Sequence, residues 1–336
     1  MHRPGHEIRL RSSARSDRGR VRQNNEDNIH LWDADSSVLA VVADGMGGAV
    51  AGEEASRIAV ETVHGKLATD YYRSPDDYSH YDADDLADLL DEAVREANQN
   101  IIDKVGSDPE LKGMGTTLTM AFARNNDVIL AHVGDSRAYY VDAEDKVIRQ
   151  LTADHSFVQA LVDAGHITDE EAAIHPMKNV LYRALGQAED LDVDVIPDVR
   201  IHAGDRLVLC SDGLTLHVEA DEILDTVLAS DDPNIVSNKL VELANERGGK
   251  DNVSVIVVIA DLIEIEISED EAENQLNIHI GSDDEPTVPM NPDYLSVTRI
   301  NKSLDNFDNN DDPFATQETP SAGIYGEGSD SFDTLF

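Results

Sequence analysis

Cysteine is almost absent from this chain of 336 residues: Cys210 stands alone, which excludes an internal disulfide framework and a thiolate-based zinc site. At the end of the apolar run Leu207-Val208-Leu209-Cys210 it is expected to act as a small buried hydrophobe. Basic residues are scarce as well, 26 Lys and Arg against 68 Asp and Glu, for a formal charge of −42. Such a surface repels nucleic acid and anionic membranes, whose binding needs clustered cations over the phosphates. A phosphate-bearing ligand would need local metal or arginine charge to approach. Long hydrophobic runs are missing too: the longest, near Val253 to Ile263, falls short of the roughly 20 residues of a membrane-spanning helix. The arginines near the N-terminus are not followed by the apolar stretch of a secretory signal, so a soluble, cytoplasmic protein is expected. Nucleotide-binding loops are lacking. Asp44-Gly45-Met46-Gly47-Gly48 follows an apolar run and precedes a helical pattern, but it matches neither G-x-G-x-x-G nor a loop ending in G-K-S/T, and Asp44 would repel a pyrophosphate.

What is present is an alternation of strand-like and helix-like segments from about Glu7 to Ile263, without a long polar gap or a repeat. The length could hold one large or two ordinary domains. Apolar spacing predicts helices over Gly52 to Thr69, Asp84 to Val105, Ser156 to Ala164, Ala220 to Ala229 and Asn234 to Arg247. A sheet core with helices outside is the economical packing. The polar segment between Tyr71 and Asp82, containing Pro75, reads as the loop between two helices, and Asp33-Ala34-Asp35-Ser36 reads as a hairpin turn. From Glu264 the character changes: residues 264–336 carry 18 acidic and 2 basic residues with few apolar clusters, so disorder is expected there. The expected division is therefore a folded domain over 1–263 and an acidic tail over 264–336.

Acidic residues stand at the ends of the apolar runs. Val38 to Ala43 leads into Asp44-Gly45, Val128 to Val133 into Gly134-Asp135-Ser136, and Leu207 to Cys210 into Ser211-Asp212-Gly213; Glu26-Asp27 and Asp251-Asn252 come just before two further runs. In an antiparallel sheet one strand's C-terminal end lies beside its neighbour's N-terminal end, so all five sites can share one sheet edge. Carboxylates gathered without a thiolate ask for hard divalent cations bound through oxygen, which makes a metal-dependent hydrolase the leading expectation.

Singly, each Asp-Gly or Asp-Ser step reads as an ordinary turn. Together, seven motifs follow in order: Arg22-Gln23-Asn24-Asn25-Glu26-Asp27, Ala43-Asp44-Gly45-Met46-Gly47-Gly48, Gly113-Met114-Gly115-Thr116-Thr117, Val133-Gly134-Asp135-Ser136-Arg137, Leu151-Thr152-Ala153-Asp154-His155-Ser156, Ser211-Asp212-Gly213 and Lys250-Asp251-Asn252-Val253-Ser254. This set resembles the bacterial branch of the PPM family, the PP2C-like metal-dependent Ser/Thr protein phosphatases, over about residues 7 to 261. The resemblance implies an α/β sandwich of two central, mainly antiparallel sheets flanked by helices. It implies that Asp27, Asp44, Asp212 and Asp251 hold two Mn²⁺ or Mg²⁺ ions, with Asp44 bridging them and the Gly45 carbonyl as a further ligand. Glu26 matches a residue that reaches the metals through water, Asp135 with Asp212 matches a weaker third metal site, and Arg22 matches the arginine that holds the substrate phosphate. The reaction implied is attack on phosphorus by a hydroxide bound between the two ions, without a phospho-enzyme. A guanidinium suits the phosphate because it offers a planar donor fork; the bland alternative for Arg22 is an ion pair with a nearby acid.

One departure is informative. Where many eukaryotic members of that family have a histidine after Asp-Gly, this chain has Met46, so the leaving-group acid is expected to be a metal-bound water, with His155 the weaker candidate. His132 lies inside an apolar run and is expected in the core, and no H-E-x-x-H spacing occurs. Residues Gly165 to Gly186, ending in Tyr182-Arg183-Ala184-Leu185-Gly186, resemble the family's flap, where substrate choice is expected to reside. An active phosphatase opposing Ser/Thr kinases is favoured over a silent phosphoprotein-binding module, because silent forms lose metal carboxylates and all four are present here. In the tail, Thr287 between acidic residues and prolines is a candidate phosphosite for an arginine-lined, FHA-like phosphothreonine reader.

Overall fold

Strands with two buried faces explain the unbroken apolar runs. β3 (Ser37–Met46) sends Leu39, Val41 and Ala43 to one side and Val38, Ala40 and Val42 to the other, and both sides are covered. With no polar face left, its sequence shows a run rather than an alternation. β11 (Val253–Ile267) repeats this: Val253, Val255, Val257 and Ile259 turn one way, Ile256, Val258 and Ala260 the other. The computed structural model describes residues 3–34, 37–71 and 82–267, all within one compact unit, Met1–Ala272.

Two antiparallel sheets form the centre. The first has the order β1 (Arg3–Asp17), β11, β10 (Arg206–Cys210), β7 (Arg137–Asp142), β8 (Val147–Gln150). The second runs β2 (Asp27–Ala34), β3, β5 (Leu118–Arg124), β6 (Asp127–Val133), β9 (Asp194–Arg200), with the short β4 (Gly115–Thr116) paired to the end of β3. Between the sheets Val38, Ala40 and Val42 pack in one cluster with Leu207, Leu209, Ile256 and Val258. Helices α1 (Ala49–Tyr71) and α2 (Ala83–Ser107) cover the outer face of the second sheet, while α6 (Ala220–Leu228) and α7 (Pro233–Glu246) cover that of the first. The result is the expected four-layer sandwich.

The helices begin where local chemistry says they should. Asp82 accepts a hydrogen bond from the Asp85 N–H at 2.9 Å, and the Asp85 carboxylate returns one from the Asp82 N–H, a reciprocal cap on α2. Asp232 caps α7 just before Pro233, whose missing N–H costs nothing at a helix start. Together with α3 (Phe157–Asp163), these helices start and stop within about three residues of the ranges that spacing predicts. Two short helices escape that reasoning, α4 (Asp169–Ala173) and α5 (Asp212–Thr215), because neither completes enough turns to show a period.

β2 and β3 pair out to Ala34 and Ser37, as a hairpin at Asp33-Ala34-Asp35-Ser36 requires, although residues 35 and 36 themselves lie outside the described residues. So does most of the expected loop, residues 72–81, between the end of α1 and the Asp82 cap. β11 carries the chain through Ile267, in register with Arg3; the rest of the expected acidic tail, 268–336, is outside the described residues. Among the described residues no helix is long and apolar enough to cross a membrane.

Candidate metal centre

Cross-strand register sets two carboxylates face to face: Asp27 opens β2 directly opposite Asp44 on β3. Like charges so placed destabilise a sheet unless something compensates them. Asp135 follows β6 in the same sheet, whereas Asp212 follows β10 and Asp251 precedes β11 in the other. The expectation that all five acidic sites share one sheet edge is thus corrected: they divide between two sheets and meet because the same ends of both are stacked together. Their nearness shows electrostatically, since the Asp44 carboxyl feels the charges of Asp27, Asp212, Asp135 and Asp251. Asp44 and Asp212 lie within hydrogen-bonding reach of each other.

Burial, reinforced by these neighbours, holds the Asp44 carboxyl well above the usual carboxylate range. Burial likewise pushes Asp135 up to about 8 and Asp27 to about 7, in the latter against the opposing hydrogen bonds of two serines. Among the described residues no three carboxylates, imidazoles or thiolates close on one point tightly enough to enclose an ion as they stand. Yet Oδ1 of Asp27 and Oδ1 of Asp212 are buried without a hydrogen-bond partner. Unpaired, acceptor-only oxygens amid mutually repelling carboxylates fit a hard divalent cation, which neutralises the charge and accepts their unused lone pairs.

The surrounding hydrogen bonds hold these acids in place. Asp27 Oδ2 accepts from Ser211 Oγ at 2.8 Å and from Ser254 Oγ at 2.7 Å, both from the opposite sheet, leaving the buried Oδ1 without a partner. Asp44 is fixed through its backbone: its N–H donates to Thr117 Oγ1 at 2.9 Å, and its carbonyl accepts from the Thr117 N–H at 2.9 Å and Thr116 Oγ1 at 2.8 Å. Thr117 Oγ1 also meets Ser136 Oγ at 2.8 Å, tying the Asp135 loop to Asp44. Asn252 joins the N-terminal motif to the C-terminal one: its Oδ1 accepts from the Glu26 N–H at 2.8 Å, and its Nδ2 donates to the carbonyls of Arg18 and Asn24, each at 2.9 Å. Sequence reasoning assigned no role to Ser211, Ser254, Thr117 or Asn252; the available signal was that each lies within one of the seven motifs.

Arg22, half-exposed at the rim, donates from Nη2 to Asp251 Oδ2 at 2.7 Å. The ion pair weighed as its bland alternative therefore exists, but its partner is one of the five acidic sites. Met46, opposite Gly115, accepts only a weak contact from Gln187 Nε2 at 3.5 Å. His132 is fully buried, with Nδ1 2.9 Å from Thr119 Oγ1 and Nε2 3.0 Å from the Ala153 carbonyl.

His155 is engaged on both sides. Its Nδ1 accepts from the Gly134 N–H at 3.0 Å, so the proton sits on Nε2, which donates to Asp194 Oδ2 at 3.1 Å. With both nitrogens committed, His155 braces the Asp135 loop, and its one proton is directed at Asp194 rather than at a leaving group. Arg183, from the flap-like segment, donates to Asp194 Oδ1 at 2.6 Å. The flap-like segment is anchored at its roots by the bridges Ser156 to Leu181 and Thr116 to Leu185. Burial works against the Asp194 charge, but the hydrogen bond from His155 and the hydrogen bond and charge of Arg183 outweigh it and hold the carboxyl below its usual range. A depressed carboxyl contributes stability above its unfolded value near pH 4 and loses it as the pH falls through the folded value. Asp194→Asn is thus expected to lower stability by about 1 kcal/mol at pH 7, allowing for solvent screening, and the two proteins should converge in strong acid. Urea unfolding across pH checks this; a difference unchanged by acid contradicts it.

A four-layer sandwich with a carboxylate cluster at one end of its sheets and an arginine at the rim defines a metal-dependent phosphatase. Comparison with known proteins narrows the class. The family model described as Protein phosphatase 2C matches residues 17–244. The chain is 37% identical over 254 residues to the serine/threonine phosphatase Stp of Listeria monocytogenes, spanning 75% of this chain and 97% of that protein. It is 41% identical to the crystal structure of the Mycobacterium tuberculosis serine/threonine phosphatase PstP/Ppp, with a TM-score of 0.64 over 75% of this chain and 99% of that one. The PstP catalytic domain in complex with two manganese ions is similar at 38% identity and a TM-score of 0.63, covering 76% and 99% of the two chains. The chain belongs to the protein phosphatase 2C family and is a metal-dependent protein Ser/Thr phosphatase of the bacterial type.

Proposed function

We propose that this phosphatase removes phosphate from phosphoserine and phosphothreonine of cytoplasmic proteins, opposing Ser/Thr kinases, at a centre of two Mn²⁺ or Mg²⁺ ions. Asp27, Asp44, Asp212, Asp251 and the Gly45 carbonyl would hold the pair, Glu26 would reach it through water, and Asp135 with Asp212 would hold a weaker third ion. The observation that carries this reading is the pair of buried, unpartnered oxygens, Asp27 Oδ1 and Asp212 Oδ1, among carboxylates that all bear on Asp44. Two such cations would supply an ionised water at neutral pH and offset charge on the phosphoryl oxygens.

The chain's own residues do the positioning. Asp44, which feels the charges of the other four, would be the residue shared by the two ions, and the two serine hydroxyls on Asp27 Oδ2 leave its Oδ1 available to a cation. Arg22 is held by Asp251 with further donors free at the rim, ready for a phosphate dianion. The leaving group's proton comes from water, because Met46 has none and both nitrogens of His155 are engaged. We assign catalysis to about residues 1–263, substrate choice to the flap over 165–186, and to the acidic remainder a solvated extension with Thr287 open to a phosphothreonine reader.

Hydrolysis of a phosphothreonine peptide by the full chain should require added Mn²⁺ and stop when the metal is chelated. Phosphate release unaffected by chelator would overturn the metal centre. No release from folded, metal-loaded protein would move the reading to phosphoprotein binding.

A further inference from the structure

Cations are the rare resource of this molecule, and one surface region leaves several of them unneutralised. Six of the 26 Lys and Arg fall between Arg9 and Arg22, a stretch whose only acid is Asp17. Many basic side chains elsewhere are paired, as Arg137 is with Asp154 and Arg247 with Glu222, and the lysines among the described residues that are not, Lys112, Lys146 and Lys178, are scattered singly along the chain. Among the described residues Arg18, Arg20 and Lys250 have no carboxylate partner, although acids outnumber bases 68 to 26. For Arg18 and Arg20 the nearest acid in sequence, Asp17, is turned to the Gly19 N–H at 2.9 Å and to Asn245 Nδ2 at 3.1 Å; for Lys250 it is Asp251, which is paired with Arg22.

These cations belong to one rigid lip. The N–H groups of Arg20 and Val21 donate to the Gly249 carbonyl at 2.7 and 3.2 Å, and Asn252 Nδ2 clamps the Arg18 carbonyl. A Cβ at Gly249 would lie 2.8 Å from Arg20 Cγ, so the stem of Arg20 lies against the turn that leads into Lys250 and Asp251. Arg18 Nη1 donates to the Gln23 carbonyl at 3.1 Å, spanning the loop that carries Arg22. Val21, between Arg20 and Arg22, is 66% exposed and adds an apolar step to the lip. The lip is continuous with Arg22 and Asp251, hence with the proposed catalytic centre.

We infer that Arg18, Arg20 and Lys250 form a subsite for a second anionic group on the protein substrate, a further phosphate or a carboxylate a few residues from the one hydrolysed. The inference rests on Arg22 receiving the scissile phosphate. Along an extended peptide a group two residues away lies about 7 Å distant, within reach of Arg20, two positions from Arg22, and of Lys250, next to Arg22's partner Asp251. The anion belongs to the substrate, because the lip is continuous with Arg22, which receives the scissile phosphate. The enzyme therefore prefers multiply phosphorylated or acidic segments, despite its own net charge of −42.

The test uses the full chain with Mn²⁺ and a phosphothreonine peptide with neutral flanks, compared with the same peptide carrying a second phosphothreonine two residues away. Wild type should favour the second by about tenfold in kcat/KM, as two or three exposed charge pairs of a few-fold each would give. Arg20→Gln with Lys250→Gln, which keeps the aliphatic stems, should reduce the ratio to about twofold, and high salt should do the same to wild type. Hydrolysis of a small aryl phosphate should be equal in the two proteins. Equal ratios in wild type and variant, or no preference in wild type, overturn the subsite. A variant with faster aryl phosphate hydrolysis and an unchanged ratio also overturns it, and assigns the lip to the acidic tail. Failure of wild type to hydrolyse the aryl phosphate at all would defeat the underlying reading of the centre, a result distinct from a lost ratio.

Discussion

Asp212→Asn is expected to cut phosphopeptide turnover by roughly a thousandfold or more while the protein stays folded and, without metal, melts at a higher temperature. The two effects have one cause. Asp212 begins α5 at the end of β10, its Oδ1 is buried without a partner, and its carboxyl is pushed up to about 6 by burial first and Asp251 next. An amide keeps the shape and removes one of the mutually repelling charges, so the empty centre relaxes. The same change removes a negative oxygen from the place where cations must be held, and charge complementarity at the centre is lost. Asp44→Asn should behave alike, since the other four acids bear on it. Thermal unfolding with and without Mn²⁺ checks both halves: wild type should gain several degrees from the metal and either variant much less. A variant that keeps wild-type turnover would remove these residues from the centre.

Gly213→Ala should produce the largest loss of stability of any single methyl added at the site, about 3 kcal/mol or more, with activity falling alongside. A Cβ at Gly213 would sit 1.8 Å from the Asn252 carbonyl oxygen, which is backbone and cannot swing aside. Relief would require moving Asn252, and Asn252 holds Glu26 and the loop carrying Arg22. Gly45 is confined in the same way, its absent Cβ lying 2.1 Å from the Gly52 carbonyl oxygen. Gly106→Ala in α2, where nothing lies within 4 Å, is the control and should be neutral or slightly stabilising. Equal denaturant midpoints for Gly213→Ala and wild type would refute the packing argument.

These glycines show how local and distant information divide. Asp44-Gly45 and Asp212-Gly213 look like turn signals in the sequence, and their order among seven motifs sufficed to recognise the family. The glycine after each aspartate is needed for another reason: a neighbouring backbone carbonyl occupies the space a side chain would take. Likewise, the sequence motif of His155 made it a candidate acid, but the Gly134 N–H and Asp194 turn it into a brace.

By itself the amino-acid sequence determined the ranges of the five longer helices, the apolar strand runs with acids at their ends and the membership of the family, because each is written in short-range spacing or in residue type. Only the tertiary structure decided that the acids divide between two sheets, that Asp27 is held by Ser211 and Ser254, 184 and 227 residues away, and that Glu26 is held by Asn252, 226 residues away. Antiparallel sheets stacked face to face join chain segments with no common period and no sequence proximity, so such contacts leave no local trace. The unpaired cations of the lip are the same kind of result. The arginines are plain in the sequence, but whether each finds a carboxylate depends on what folding brings beside it.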